Sequence, residues 1–233
     1  MTDKHSFGSD PVRSPCLVLL CKRPALGHSK QRLAEQVGRV GAFAIAKRLL
    51  GCALEDLDDW PGPKALAPDH PQHFAWGREC SPQALCLPQH DGNLGRRLND
   101  LDERLRQQEL HRLIYIGSDC PALHPRDYRK VARFLERCDT VLLMARDGGV
   151  VLMASNRPRP DLSALPWSTE HLGHALADCC QRAGHSLMLA GERFDIDRQE
   201  DLQTLANALA QDPRPARVRM RDALRTLGVD ADS

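Results

Sequence analysis

The sequence has no excess of charge of either sign: 32 Lys and Arg stand against 31 Asp and Glu, a formal net charge of +1. General electrostatic affinity for nucleic acid or anionic membrane needs a strong basic excess, so its absence excludes those partners as a class and leaves only local clusters open. No window approaches eighteen uninterrupted apolar residues, and Met1 to Pro15 lacks the apolar core of a secretory signal. A cytoplasmic chain without stable membrane insertion is expected. The nine cysteines contain no Cys-x-x-Cys pair and are scattered at 16, 21, 52, 80, 86, 120, 138, 179 and 180, which reads as reduced, mostly buried thiols. There is no internal repeat. At 233 residues the chain needs neither disulfides nor a structural metal, because a chain of this size buries roughly 70–75% of its unfolded surface.

His70, His73, Cys80 and Cys86 lie within seventeen residues and could in principle close a tetrahedral zinc site. However, Pro61 to Pro88 holds six prolines and reads as irregular connection, in which His and Cys simply pack or face solvent.

What is present is alternation of strand and helix. Cys16–Cys21 (CLVLLC) is an apolar run without polar alternation, as expected of a strand covered on both faces. Helical spacing follows over about Val37–Leu57, ended by Trp60-Pro61-Gly62-Pro63, with short apolar runs at Lys64–Ala67 and Ala84–Leu87. Leu94, Leu98, Leu101 and Leu105 mark an amphipathic helix. Beyond it come a strand at Leu113–Gly117, a helix at Pro125–Arg137, strands at Thr140–Ala145 and Val150–Ala154, a helix at Thr169–Ala183, a strand at His185–Ala190 and a helix at Gln199–Ala210. This order predicts an α/β fold in three αβα layers, with a mainly parallel sheet and right-handed crossovers. One domain is expected over residues 15–211, between a tail at 1–14 and a second tail at 212–233 that carries a short basic helix.

In such a sheet ligands bind beyond the carboxyl ends of the strands. The loop after the first strand, Lys22 to Arg32, carries Lys22, Arg23, Lys30 and Arg32 and reads as a phosphate cradle; the alternative is a merely solvated basic loop. Later loops are acidic: Gly117-Ser118-Asp119-Cys120-Pro121, Arg146-Asp147-Gly148-Gly149 and Asp195-Ile196-Asp197. Asp195 or Asp201 also suits a helix cap, and Asp147-Gly148-Gly149 also suits a tight hairpin turn. If the carboxylates and the basic loop meet on one rim, the combination points to a divalent metal and a polyphosphate, because Mg²⁺ is commonly held by one or two carboxylates and the substrate's phosphate oxygens.

The ordered set of Lys22, Pro24, Gly27 and Lys30-Gln31-Arg32-Leu33; Asp91-Gly92-Asn93-Leu94-Gly95-Arg96-Arg97-Leu98; Ile116 to Leu123; Asp147-Gly148-Gly149; Trp167-Ser168-Thr169; and Asp195-Ile196-Asp197 ahead of Glu200-Asp201-Leu202 resembles a family. It is similar to the small bacterial glycosyltransferase-A-like proteins long described as a domain of unknown function, some of them named arsenosugar-biosynthesis glycosyltransferases. The resemblance spans about residues 15 to 210. It implies a nucleotide-diphospho-sugar transferase (GT-A, Rossmann-like) fold, shared more distantly with molybdenum-cofactor and phospholactate nucleotidyltransferases. It further implies Asp119 and Asp197 as ligands of Mg²⁺ or Mn²⁺, and Lys30 and Arg32 as the basic pair that meets phosphates. Lys22, Asp91, Gly92 and Gly95 complete the expected nucleotide-binding set. The chain departs from the family pattern at Gln31 (usually Thr), Asn93 (usually acidic), Arg146 (usually Glu) and Val150 (usually Tyr).

The expected activity is glycosyl transfer from a nucleoside diphosphate sugar to a small-molecule acceptor. Asp119 and Lys30 would serve the departing diphosphate, and Asp147 is the candidate base. The alternatives are nucleotidyl transfer from a nucleoside triphosphate with loss of pyrophosphate, and a nucleotide-binding protein without turnover, the latter motivated by Asn93, Arg146 and Val150. A homo-oligomer is compatible with the sequence.

Overall fold

A computed structural model describes residues 14–232; the expected tail at 1–14 lies, but for its last residue, outside the described residues. The elements run β1 (Cys16–Cys21), α1 (Gln31–Asp59), β2 (Lys64–Pro68), a 3-10 turn (Pro71–His73), α2 (Phe74–Cys80), β3 (Leu85–Cys86), α3 (Leu94–Arg106), β4 (Leu113–Ile116), α4 (Pro125–Phe134), β5 (Thr140–Ala145), β6 (Val150–Ser155), α5 (Leu172–Arg182), β7 (Leu187–Arg193), α6 (Gln199–Leu209) and α7 (Pro215–Thr226).

The strands form one sheet in the order β3-β2-β1-β4-β6-β5-β7. Only β6 runs against the rest: it is antiparallel to β4 and β5, while β1 is parallel to β2 and β4, and β5 to β7. The expected mainly parallel three-layer fold is therefore present. The apolar run of β1 divides as a doubly covered strand must, since successive side chains face opposite ways. Leu17, Leu19 and Cys21 pack beneath α1 and α4 with Leu57, Tyr128 and Val131, whereas Cys16 and Val18 pack against α3 and α5 with Leu98, Leu101 and Leu176.

Several boundaries differ from the sequence reading. Helix α1 begins at Gln31 rather than near Val37, with a break at Gly38 (φ 74°), so the basic run continues into a helix. Leu33 anchors that first segment by complete burial against α6 and α7. Strand β7 is displaced to Leu187–Arg193, because His185 and Ser186 are used to close the connection. The Ser186 N–H and Oγ donate to Asp139, and the His185 ring meets Thr140 Oγ1 at 2.9 Å. Its polar end, Gly191 to Arg193, is legible only from pairing with Met144 and Ala145, since an edge strand needs no apolar alternation there. The stretch 61–88 is less irregular than expected, with α2 inside it.

The larger difference is at 212–233. The short helix expected there is present as α7, but the segment does not trail off as a tail: α7 packs on α1 and α6 through Ala216, Met220 and Leu224. Arg217 of α7 is completely buried. Its guanidinium donates to Asp56 Oδ2 (2.6 Å), Glu55 Oε2 (3.0 Å) and the backbone carbonyls of Cys52 and Pro121. Asp56 also accepts from Tyr128 (2.9 Å) and Arg214 (2.8 Å), and Arg214 donates to Leu123 O (2.9 Å). Helix α7 thus grips the chain at 121–123, directly after Asp119. Removing one member of a buried ion network strands the others without compensation. Arg217→Met is therefore expected to lower unfolding free energy by about 3 kcal/mol, read as a reduced urea midpoint at unchanged slope; a loss below about 1 kcal/mol would show that the network behaves like a surface pair.

Candidate active-site cleft

The chain leaves β1 for β2 on one side and returns to β4 on the other, so the sheet's switch point lies between the carboxyl ends of β1 and β4. A cleft of about 920 Å³ opens there, lined by Lys22, Arg23, Lys30, Arg32, Asp69, Arg97, Asp119, Asp147, Asp195 and Asp197 among others. Basic side chains come mainly from the loop after β1 and from α3, and acidic ones mainly from the ends of β4, β5 and β7.

Lys30 joins the two sets. Its Nζ lies 3.1 Å from Asp119 Oδ2 and 2.9 Å from Asp197 Oδ1, and it also donates to Ile196 O. The lysine side chain is 10% exposed, while the Asp119 and Asp197 side chains are 50% and 41% exposed. Burial alone would lower the lysine pKa, but the two carboxylates more than reverse that and raise it. Arg32 reaches Asp197 from further out, at 3.7 Å.

Local sequence fixes both carboxylates. Ile116 and Cys120 are buried on either side of Asp119, and Ile196 is buried between Asp195 and Asp197, so apolar residues clamp each loop and leave Asp119 and Asp197 half exposed. The Ile196 N–H donates to Asp119 O (2.9 Å), which ties the two loops together, and Asp201 Oδ2 accepts from the backbone N–H groups of Asp197 (2.8 Å) and Arg198 (2.7 Å). Asp201, in the first turn of α6, thus fastens the helix start to its N-cap residue Arg198. Lys30 itself sits at φ 48°, ψ 56°, a left-handed conformation unfavourable for a residue with a Cβ. Ser168 (φ 64°), which also lines the cleft, shares that strain.

The hairpin at 147–149 proves to be a tight turn and a cleft wall at once. Asp147 Oδ1 accepts from Gly149 N (2.9 Å), and Asp147 lines the cleft. Gly148 is at φ 87°, and a Cβ there would lie 2.0 Å from Glu170 O. Burial, and then the charges of Asp147 and Asp197, push the Asp195 carboxyl up to about 6. The sequence places Asp195 in an acidic loop and suits it equally to a helix cap; the crowding is visible only in the fold.

Other expected residues do not join the cleft wall. Asp91, Gly92 and Gly95 are not among its lining residues. Gly95 is a packing glycine, since a Cβ would meet Leu162 O at 2.0 Å and Trp167 Nε1 at 2.6 Å. Gly92 serves Arg97, whose Nε donates to Gly92 O (2.7 Å); Arg97, which lines the cleft, went unrecognised because in sequence it is one basic residue on an amphipathic helix. Asn93 caps α3 by accepting from Arg96 N (3.0 Å), and Arg146 lies over Phe194 and beside Glu192. Of the departures from the family pattern, Gln31 and Val150 line the cleft, and Asn93 and Arg146 do not.

The His and Cys residues of 70–86 are engaged separately: His73 with Asp69 (2.9 Å), His70 with Gln72 N (3.1 Å) and Cys86 with Phe74 O (3.6 Å). Cys120 is buried, and desolvation pushes its thiol up to about 12, so it is no thiolate nucleophile at neutral pH. Among the described residues no group of three or more His, Cys, Asp or Glu side chains is arranged to hold a metal ion by itself. Asp119 and Asp197 nonetheless converge on a single cationic atom with hard oxygen donors open to the cleft. That donor set fits Mg²⁺ or Mn²⁺ whose shell is completed by water and phosphate oxygens.

The fold is that of the nucleotide-diphospho-sugar transferases and related nucleotidyltransferases. A protein provisionally described as a nucleotide-diphospho-sugar transferase, from Desulfovibrio desulfuricans G20, superimposes with a TM-score of 0.81 at 20% identity, over 94% of this chain and 99% of that one. A cytidylyltransferase from Leptospira borgpetersenii serovar Hardjo-bovis (strain JB197) gives 0.53 at 15% identity, over 91% and 94%. A CMP:2-keto-3-deoxy-manno-octonic acid synthetase complexed with CTP gives 0.51 at 14% identity, over 85% and 100%. Residues 54–169 match the family described as "Uncharacterized protein conserved in bacteria (DUF2064)", in keeping with the bacterial resemblance read from the sequence. No curated protein matches the chain.

The state of Asp195 has a pH signature. An unfolded aspartate titrates near 3.9, and the folded one near 6, so between those values the folded chain holds more protons and stability falls as pH rises. Asp195→Asn, measured with chelator present, is expected to raise the melting temperature at pH 7.5 and to leave it unchanged at pH 4. A gain of equal size at both pH values would show that charge crowding is not the cause.

Proposed function

We propose that the chain is a divalent-metal-dependent transferase that uses a nucleotide-activated donor, and that the donor is a nucleoside diphosphate sugar from which the glycosyl group passes to a small-molecule acceptor. The observation that carries this reading is the meeting of Lys30 with Asp119 and Asp197 in a cleft whose lining also includes Lys22, Arg23 and Arg97.

In glycosyl transfer negative charge grows on the departing diphosphate, and preorganised cations oppose that growth most effectively in a partly desolvated cleft. Lys22, Lys30 and Arg32 are the cations assigned to the phosphates. Asp119 and Asp197 would hold Mg²⁺ or Mn²⁺, which when bound supplies Lewis-acid stabilisation of phosphate oxygens. Asp147 keeps one carboxylate oxygen on Gly149 N and leaves the other for the acceptor's proton, which suits it to act as general base. No covalent enzyme intermediate is required.

Nucleotidyl transfer with release of pyrophosphate is the second reading, favoured by the likeness to a cytidylyltransferase and a CMP-sugar synthetase. The reading without turnover loses part of its basis, because Asn93 is a helix cap and Arg146 lies outside the cleft lining. The expected cytoplasmic location remains part of the proposal; no helix among the described residues is long and apolar enough to cross a membrane.

A thermal-shift panel of nucleoside diphosphate sugars and nucleoside triphosphates, each with Mg²⁺, Mn²⁺ or chelator, tests the reading, since a ligand of the native state stabilises by mass action. A metal-dependent rise with a diphosphate sugar is expected, abolished by Asp119→Ala and weakened by Lys30→Ala. Product analysis then separates the transfers: a released nucleoside diphosphate supports glycosyl transfer and pyrophosphate the alternative. A metal-dependent shift that survives Asp119→Ala would refute the site assignment.

A further inference from the structure

Lys30 cannot at once pair with both carboxylates and meet a phosphate. A lysine ammonium has three N–H donors, and here all three are committed, to Asp119, Asp197 and Ile196 O. In this arrangement none is left for a phosphate, and the carboxylate oxygens that would face a metal already face a cation. Resting on the transferase reading above, we propose that Lys30 is an internal counter-ion that closes the Asp119–Asp197 pair to a divalent cation until a diphosphate draws the ammonium away, so that metal and nucleotide bind cooperatively through this one side chain.

The surrounding structure assigns the movement to the lysine and not to the acids. Asp119 and Asp197 stand on backbone tied by the Ile196 N–H and by Asp201, whereas Lys30 carries its charge on a flexible four-carbon stem. The carboxylates are half exposed at the cleft and the ammonium they share is nearly buried, so an arriving cation meets accessible carboxylates that are already partly neutralised. Lys22, Arg23 and Arg32 are exposed at the cleft. They can hold an anion first and offer Lys30 a second partner of the same charge as the one it leaves. By linkage, whatever factor the nucleotide adds to metal affinity the metal adds to nucleotide affinity.

The test is Mn²⁺ binding to the full chain, followed by the electron paramagnetic resonance of free Mn²⁺, with no nucleotide present. Lys30→Met is expected to bind Mn²⁺ at least about tenfold more tightly than the wild type, a difference of about 1.4 kcal/mol. Lys30→Arg should restore weak binding, and the tight site of Lys30→Met should vanish when Asp119→Asn is added. Lys22→Met, which removes the same charge from the same cleft, should change Mn²⁺ affinity less than threefold. Adding UDP or CDP should tighten Mn²⁺ binding in the wild type and leave Lys30→Met nearly unchanged. Circular dichroism and melting of each variant confirm folding. Equal, Asp119-dependent Mn²⁺ binding by wild type and Lys30→Met overturns the counter-ion role and leaves the metal assignment standing. If no variant binds Mn²⁺ in an Asp119-dependent way, the metal assignment falls and this inference with it.

Discussion

The organising interaction is one buried ammonium between two carboxylates. Lys30 precedes α1, Asp119 follows β4 and Asp197 follows β7, so the contact joins parts of the chain up to 167 residues apart. A buried lysine is costly unless it is paired and hydrogen-bonded, and half-exposed carboxylates crowded on one rim repel one another unless a cation lies between them. Each side supplies what the other lacks. The left-handed backbone at Lys30 shows that the surrounding structure over-determines this position.

Sheet topology makes the meeting geometric rather than fortuitous. Because β1 and β4 are neighbours and parallel, their following loops leave the same edge, and β7, parallel through β5, delivers Asp195-Ile196-Asp197 to that edge as well. The support comes from behind. Helix α7 puts the guanidinium of Arg217 on Pro121 O and Arg214 on Leu123 O, which braces the chain just after Asp119 against α1. The C-terminal helix therefore belongs to the same mechanical unit as the cleft, and a buried network of ions, expensive as a source of stability, is well suited to fix a single register.

What the sequence made legible was the part governed by short-range rules. Strands such as CLVLLC and the leucine spacing of α3 carry their own periodicity, and the acids after β4, β5 and β7 could be placed on one rim from the βα order alone. What stayed hidden depended on distant partners. Arg217 in a basic tail looks like any solvated arginine until Asp56, Glu55 and two carbonyls are found around it. Gly95 reads as a phosphate-loop glycine, but its small size serves the approach of α3 to Leu162 and Trp167. Asp195 and Asp201 read equally well as helix-capping acids, whereas in the fold Asp201 takes that part and Asp195 is the acid whose carboxyl burial and its neighbours push up. The start of α1 is hidden in the sequence because Gly38 interrupts the periodicity, and that interruption is real in the backbone.

The charge balance of the cleft sets two demands against each other. Binding a divalent cation calls for carboxylates held close together and open to the cleft, while folding without that cation calls for the same carboxylates to be neutralised. Asp195 shows one solution, a carboxyl pushed toward its protonated form by burial and by Asp147 and Asp197. Asp119 and Asp197 show the other, a tethered cation supplied by the chain itself. A tethered lysine balances the charge of this pair through a contact that can be withdrawn. Under the proposed metal assignment the empty site is better served by the lysine, and it is at the pair with the open oxygens that the chain places one.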